Sequence, residues 1–519
     1  MRRHLKGMRF FTTSGLTQTF GTRLGLASNQ RSESKNPLEY IWLLVAPLTG
    51  TFARDGVEAG CKRPGRTTSR EVLPRWMAAV SGLILVLLSG CTAPETPFAT
   101  TVQPVDARYL SAVPAGRTNY SNESLADVFT ILTHDLEGGP SRPNLVRFER
   151  PVRVAMIGEG SAPYQLFLAE FVRRARTETG IDIAIGSPDT ANLLVRFVPN
   201  LDFVGVSNAQ CIVVDGHPTW EELLEDVTRD GVDPFGNLGM RDKATALIPS
   251  LIEPFKIREC ILEELTQALG TANDLYALGD TIFNDDNAHT WPTRLDFLML
   301  KVLYDPRLRT GMKRQETRSR ALAILNDLNP EGTDPRAERL PRMLQQTFLN
   351  WRNRLHEMIA SEDLSTADQI GVVTSLNADA KRVAPNSGYH CHAAMLEADV
   401  VLHLDYEKAL PRIAGARDIC ARAFGADDVR LARLGLMEAA VHLRARRPLA
   451  ALKAADGLDS VFLSHGKEME LLDALETLIL AHALAGDLDE HEHLIAGLRD
   501  WAAYSLGVDN RFVARLSRL

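Results

Sequence analysis

The chain has 519 residues, of which 45% are hydrophobic and 24% are charged, so it is long enough to bury more than one core. It carries 58 Lys and Arg residues against 66 Asp and Glu residues, which gives a formal net charge of -8. No basic stripe interleaved with aromatic residues accompanies this acidic balance. Nucleic acid is therefore excluded as an expected partner.

An apolar run that ends at a cysteine is the first informative segment. Residues 77–90 (MAAVSGLILVLLSG) follow Arg75 and end in small residues, a pattern typical of a secretory signal. Leu88-Ser89-Gly90-Cys91 matches the bacterial lipobox. We therefore predict a lipoprotein signal peptide over residues 72–90 and lipidation of Cys91. The alternative is an ordinary transmembrane helix, for which the run is short.

The segments on either side of this signal indicate the compartment. Residues 1–71 lack sustained periodicity and are interpreted as a non-native upstream extension, with translation starting near Val72 or Met77. Residues 91–120 are rich in Pro, Thr and Ala and are predicted to be the lipidated cysteine and a flexible tether. Thr92 rather than Asp follows the cysteine, and the resemblance to sorted bacterial lipoproteins then implies the outer membrane. The expected location is the bacterial cell envelope, lipid-anchored and facing the periplasm.

Residues 121–330 show an α+β pattern. A helix is predicted over 125–136, a strand over 151–157 and a long helix over 162–179 that is closed by Gly180. Three short β-branched runs then predict further strands, and Pro254 opens the next helix. The three runs are residues 181–185, 193–198 and 211–214.

The helix that begins at Pro254 carries the segment EELTQALGTAND, residues 263–274. This segment resembles the H-E-x-x-H-x-x-G-x-x-H pattern of metzincin zinc proteases. The resemblance places Glu264 at the general-base position and Gly270 at the turn, and it places a later turn, with Phe283 where the family has Met, beneath the site. The three metal-ligand positions hold Glu263, Gln267 and Asn273.

The same region is similar to a family of uncharacterised bacterial envelope domains. Their shared pattern is E-E-x-T-Q-x-L-G, then N-D, I-F-N-D and L-Y-D-P-R-L, and this chain has it at residues 263–270, 273–274, 282–285 and 303–308. Together the two resemblances imply a zincin-like mixed sheet with a long helix and a motif helix. The envelope family implies no defined activity.

The residues at the ligand positions argue against zinc chemistry. A neutral amide oxygen is a poor substitute for imidazole, and without a Lewis acid Glu264 cannot activate a water molecule. We therefore expect a pseudo-metallopeptidase with no cofactor and no metal. One alternative is a hard cation such as calcium on Glu263, Gln267, Asn273 and Asp274. Another is a metal-dependent peptidase with atypical oxygen ligands.

Four cysteines follow the lipidated one: Cys211, Cys260, Cys391 and Cys420. An even number in an oxidising compartment favours disulfides, for which the sequence allows three connectivities. Pairing within each predicted domain gives Cys211 with Cys260 and Cys391 with Cys420. Buried free thiols are the alternative.

Residues 331–519 are predicted to form an all-α domain of helical hairpins, solenoid-like in arrangement. Amphipathic patterns cover residues 336–360, 393–412, 430–452 and 468–485, and their breaks recur at about forty residues, as in helical repeats. The pattern resembles tetratricopeptide-type repeats, and a plain helical bundle is the alternative. Such repeats offer a concave face for a protein or peptide.

These features predict a lipid-anchored periplasmic protein that binds a protein or cell-wall partner through the zincin-like cleft or the helical repeats. Its contact with the membrane is expected through the lipid on Cys91. Two other functions remain open, the metal-dependent peptidase and a structural envelope scaffold without a dedicated ligand.

Overall fold

The computed structural model describes residues 120–136, 141–199, 211–217, 222, 241–273, 275, 278–279, 281–284, 289–340 and 365–516. The predicted extension, the signal peptide, the lipidated Cys91 and the tether up to residue 119 lie outside the described residues, as does Asp274. Among the described residues, no helix combines the length and the apolar character needed to cross a bilayer.

The first part of the chain contains a five-stranded mixed sheet in the order β2-β1-β3-β5-β4. Neighbouring strands are parallel except for β4, which lies antiparallel to β5 at one edge. Four strands confirm the sequence prediction, but β5 was missed. Its six residues are all buried, so the apolar and polar alternation that marks a half-exposed strand is absent. The strands are β1 Val152–Ile157, β2 Ile183–Ile185, β3 Leu193–Val198, β4 Ile212–Asp215 and β5 Ala244–Pro249.

Helices pack against this sheet around one continuous hydrophobic core. The long helix α2 follows β1 and ends at Gly180, whose φ of 76° stops the helix in the left-handed conformation. Helix α1 packs on α5, and α3, which we call the motif helix, packs on β5. The bounds are α1 Asn122–His134, α2 Gln165–Thr179, α3 Pro254–Ala268, α4 Arg294–Leu303 and α5 Arg314–Leu328.

The described residues from 365 onward contain helices and no strand, as predicted. The breaks in the amphipathic pattern of the sequence, at residues 405–406, 447–448 and 486–487, coincide with helix boundaries. The helices are α6 Thr366–Val383, α7 Gly388–Leu404, α8 Ala409–Phe424, α9 Val429–Arg444, α10 Pro448–Ala455, α11 Leu458–Ser464, α12 Glu468–Ala485, α13 Leu488–Leu506 and α14 Arg511–Leu516.

One predicted helix needs correction. The expected helix over 336–360 does not begin at residue 336, because residues 336–340 form a turn and an extended segment. Glu338 bridges to Tyr120, and the backbone carbonyl of Glu338 accepts a hydrogen bond from Ser121 N at 2.7 Å. Pro341 follows, and a residue that precedes proline is disfavoured in the α conformation. Residues 341–360 lie outside the described residues.

Six of the helices after α6 form two layers. In the first layer α7 packs on α9, and α9 packs on α12; in the second layer lie α8, α10 and α13, each packed against its neighbours in the first layer. We call these the inner and the outer layer. The disulfide between Cys391 and Cys420, which was predicted, joins the inner helix α7 to the outer helix α8.

Candidate functional site

The motif helix α3 is held in place by its buried face and by a disulfide. Proline at its first turn suits the start of a helix, and Ile257, Ile261 and Leu265, at spacings of four, are buried in the core. Cys260 forms the predicted disulfide with Cys211, which immediately precedes β4. The helix is therefore fixed to the antiparallel edge strand.

Two of the motif residues are buried in the interior, and two others lie half-buried on one face of this helix. Glu264 and Asn273 are buried, with 4% and 6% of their surface exposed. Glu263 and Gln267 are half-buried and lie four residues apart, so they share a helix face with Glu259. We call these three residues the motif stripe. Within the described residues, no three His, Cys, Asp or Glu side chains are grouped as a metal site would require.

The chain turns sharply after the motif helix at Gly270, which has φ of 134°. A Cβ atom there would lie 2.9 Å from the Val146 carbonyl oxygen and 2.9 Å from Leu303 Cδ2, so only glycine fits. The last carbonyl groups of the helix are satisfied from outside it. Arg241 Nη1 donates to Ala268 O at 2.6 Å, and the Tyr304 hydroxyl donates to Leu269 O at 2.8 Å.

A second turn, containing Phe283, folds back onto the end of the motif. Phe283 is fully buried, and its carbonyl accepts a hydrogen bond of 2.6 Å from Leu275 N. This turn is held by Asp296 of α4, a residue that the sequence reasoning missed. The Asp296 carboxylate accepts hydrogen bonds from Thr281 Oγ1 and from Ile282 N, the latter at 3.1 Å.

Asp296 also caps its own helix. Its carboxylate accepts from Thr293 N at 2.7 Å while the Thr293 hydroxyl accepts from Asp296 N, which completes a capping box. Burial raises the pKa of Asp296 to about 6, although the hydrogen bonds it accepts lower that pKa in part. The Thr-x-x-Asp spacing before an apolar run was a visible signal for the cap, but not for the bond to Thr281.

A buried ion pair joins the motif helix to the helical domain. Arg258 Nε lies 2.7 Å from Glu468 Oε1 of α12, and the Arg258 Nη2 group contacts the other carboxylate oxygen. The two side chains are 1% and 3% exposed. The guanidinium also donates to Tyr504 O at 3.2 Å and lies 4.0 Å from the centre of the Tyr504 ring.

The motif stripe meets a cation supplied by the helical domain. Lys467, whose side chain is 2% exposed, places Nζ 3.9 Å from Glu259 Oε1 and 3.3 Å from Thr290 Oγ1. Burial raises the pKa of Glu259, and Lys467 opposes that rise. The Arg430 guanidinium of α9 also contacts the first domain, because it donates a hydrogen bond to the carbonyl of Gly279, in the segment between the two turns. The helical domain therefore contacts both the motif helix and the segment that follows it.

Further charged groups continue along the inner layer. Arg433 of α9 donates to Glu470 Oε1 of α12 at 2.7 Å. Burial raises the pKa of Asp399 on α7, and His403, Arg444 and Arg433 oppose that rise. Burial opposes ionisation of Glu470, but Arg433 and Lys467 prevail and lower its pKa to about 2.

Asp473, one turn further along α12, behaves in the opposite way. Burial, and secondarily repulsion by Glu470, raises the pKa of Asp473 to about 7. The two carboxyl groups differ because Glu470 has a cationic partner, whereas Asp473 has none among the residues that the structure describes.

Comparison with known proteins gives a match only for the first part of the chain. Residues 122–322 match a family described as "Protein of unknown function (DUF2927)". The match runs from the start of α1 into α5 and includes the motif helix, so the predicted relation to an uncharacterised family is confirmed for this domain. No curated protein and no solved structure matches the chain.

Proposed function

We propose that the chain is a lipid-anchored periplasmic protein that binds a protein or cell-wall partner without cleaving it. In this proposal the first domain is a metzincin-like domain that has lost hydrolysis, and the helical domain presents the binding face. The single observation that carries it is the contact of Lys467 with Glu259, because a cation of the chain itself lies where the motif stripe begins.

The chemistry of the motif supports a non-catalytic role. The ligand positions offer one carboxylate, Glu263, and two neutral amides, Gln267 and Asn273, which is a poor donor set for zinc. An ammonium group held one helical turn from Glu263 adds electrostatic repulsion against a divalent cation. Glu264 keeps the general-base position but lacks a Lewis acid to act with.

The metzincin-like descent rests on the order and shape of the elements. A strand, a long helix, further strands and a motif helix follow one another, and the sheet is mixed, as the resemblance implies. Gly270 supplies the turn after the helix, and Phe283 lies in the second turn. The tetratricopeptide-like reading of the helical domain is supported in the same way by its paired inner and outer helices.

The first experiment separates the binding protein from a peptidase. Full-length protein purified in detergent is analysed for bound metal and tested on a mixture of random peptides, with and without chelator. We expect no stoichiometric zinc and no cleavage above that of the Glu264→Gln variant. Stoichiometric zinc, or chelator-sensitive cleavage that Glu264→Gln abolishes, would establish the peptidase instead. Stoichiometric calcium would establish the hard-cation alternative.

The second experiment separates the binding protein from a structural scaffold. Photo-crosslinking in cells from a position on the inner layer, such as Met437, is expected to give one dominant adduct. A matched probe at Asp418, exposed on the outer helix α8, should give weak and varied adducts. Equal and diffuse adducts from both positions favour the scaffold.

Anchoring is tested separately. Labelling of cells with a palmitate analogue should mark the wild-type chain and leave the Cys91→Ser variant unmarked. Membrane fractionation should place the wild type with the outer membrane. An unprocessed, unlabelled chain would show that residues 72–90 are not a lipoprotein signal.

A further inference from the structure

The inner layer of the helical domain faces a concave side. Each inner helix packs on the next, α7 on α9 and α9 on α12, whereas the outer helices α8, α10 and α13 pack on inner helices more than on one another. A stack of helical hairpins whose inner helices are closer than its outer helices must curve toward the inner layer. The half-buried side chains on that layer therefore line a groove.

We call this surface the inner groove and define it by six half-buried residues: Asp399, Arg433, Met437, Glu470, Asp473 and Leu480. Those on α12 are spaced by three and seven residues and share one face, as do Arg433 and Met437 on α9. The hydrogen bond from Arg433 to Glu470 spans the two helices and closes the floor of the groove. Apolar surface at Met437 and Leu480 lies beside these charged groups along the same two helix faces.

The charges of the inner groove do not balance locally. Arg433 is engaged by Glu470 and also faces Asp399, and Lys467 contacts Glu259 outside the groove. Asp473 makes no hydrogen bond or ion pair within the described part of the chain, and the charged group that acts on it most directly is Glu470, which repels it. A carboxylate that is largely surrounded by protein and lacks a cation attracts one from outside.

We propose that the inner groove binds a basic peptide segment of a protein partner, with a lysine or arginine side chain against Asp473 and an apolar side chain against Met437 and Leu480. The inference rests on the proposed binding function and gives the partner its chemistry. Three inner helices at 8–10 Å spacing span about 16–20 Å, which accommodates roughly five or six residues of extended peptide.

The test uses displayed random dodecapeptides selected on detergent-purified full-length protein. Three proteins are compared: the wild type, Asp473→Asn, and Asp418→Asn as a matched control on the exposed face of α8. Asp473→Asn removes a charge without removing any described partner, so it is expected to fold, which circular dichroism checks. Wild type and control should enrich lysine and arginine, whereas Asp473→Asn should not.

A fluorescent copy of the most enriched peptide then measures affinity by anisotropy. We expect Asp473→Asn to weaken binding by about tenfold or more and Asp418→Asn to leave it unchanged within about twofold. Equal affinities for all three proteins, or selections without any enrichment of basic residues, would overturn the inference.

A further arm distinguishes a wall polymer from a protein partner. Purified peptidoglycan is sedimented with the same three proteins at the same ionic strength. Co-sedimentation that depends on Asp473, without binding of basic peptides, overturns the peptide assignment. If no peptide binds while crosslinking from Met437 still yields one dominant partner, this inference fails and the proposed binding function stands.

Discussion

Arg258 of the motif helix and Glu468 of α12 form a bidentate ion pair although 210 residues separate them in the chain. The pair is closed to water on both sides, with 1% and 3% of the two side chains exposed. Charges of this kind are tolerated in an interior only when each satisfies the other. The pair therefore couples the domain that carries the motif to the helical domain and fixes the helix on which Glu264 lies.

Removing one partner of this pair should destabilise the protein strongly. Glu468→Gln leaves Arg258 charged and buried, and we expect a loss of about 3–5 kcal/mol in the free energy of unfolding. Urea denaturation followed by circular dichroism measures it. The matched control is Glu316→Gln, which breaks the Arg320–Glu316 pair, where both side chains are 44% exposed. The control should cost less than about 1 kcal/mol.

The double variant Arg258→Met with Glu468→Met extends this test. Because it leaves no unpaired charge, it should recover part of the stability that Glu468→Gln loses. A single variant that costs no more than the exposed control would show that the two domains do not depend on this contact.

Asp296→Ala should loosen the turn that contains Phe283. The substitution removes the acceptor for Thr281 Oγ1, Ile282 N and Thr293 N, all of them buried. Leaving buried donors without an acceptor costs roughly 1–3 kcal/mol. Urea denaturation measures the loss, and hydrogen exchange of the Ile282 amide should accelerate. Exchange at Ile282 as slow as in the wild type would contradict the role given to Asp296.

The strands that could be predicted are those with a recognisable local sequence pattern. Strands β1 and β3 are rich in Val, Ile and Leu and lie between turn residues, whereas β5, with the sequence ATALIP, lacks any alternation because it is buried throughout. Helix α12 has the predicted bounds, because its Ala and Leu periodicity ends at Gly486, which has φ of 84°.

Only those features of the candidate site that depend on the local sequence or on the cysteines could be predicted. The motif indicated the turn at Gly270, and cysteine parity together with domain membership indicated both disulfides. The contacts of Arg258 with Glu468 and of Lys467 with Glu259 join distant parts of the chain. A single sequence carries no periodicity or spacing that reports such pairs, so the enclosure of the motif helix by the helical domain was not predicted.

Gly270→Ala should destabilise the protein although it adds only one methyl group. Alanine is strained at a φ of 134°, and the added Cβ would overlap the Val146 carbonyl and Leu303. Strain and overpacking each cost on the order of 1–3 kcal/mol. The control is Gly415→Ala in helix α8, where a Cβ meets nothing within 4 Å. That control should stabilise by about 0.5–1 kcal/mol.

Thermal and urea denaturation of both glycine variants provide the measurement. The two substitutions add the same atom, so opposite signs isolate the effect of the turn geometry. Equal and small effects would mean that the segment after the motif helix adapts to a side chain at position 270.

The pH dependence of the free energy of unfolding should reveal the raised pKa of Asp473. Its pKa in the folded protein is raised to about 7, mainly by burial, whereas in the unfolded chain it has its ordinary value near 3.8. Below about pH 4 Asp473 is protonated in both the folded and the unfolded state, so its burial as a charged group does not lower the free energy of unfolding. As the pH rises toward 7, the folded state binds the proton more tightly than the unfolded state, and the free energy of unfolding falls until Asp473 ionises in the folded state.

Asp473→Asn removes this dependence because an amide does not titrate. The variant should match the wild type near pH 4 and exceed it at pH 8 by roughly 1–3 kcal/mol, the shift being discounted for the remaining exposure of the group. Urea denaturation at pH 4, 6 and 8 measures the difference, with Asp418→Asn as the control that should follow the wild type throughout. A variant that gains no stability at pH 8 would show that a cation already compensates Asp473, and the inner groove would then lack the unpaired charge on which its affinity for basic peptides depends.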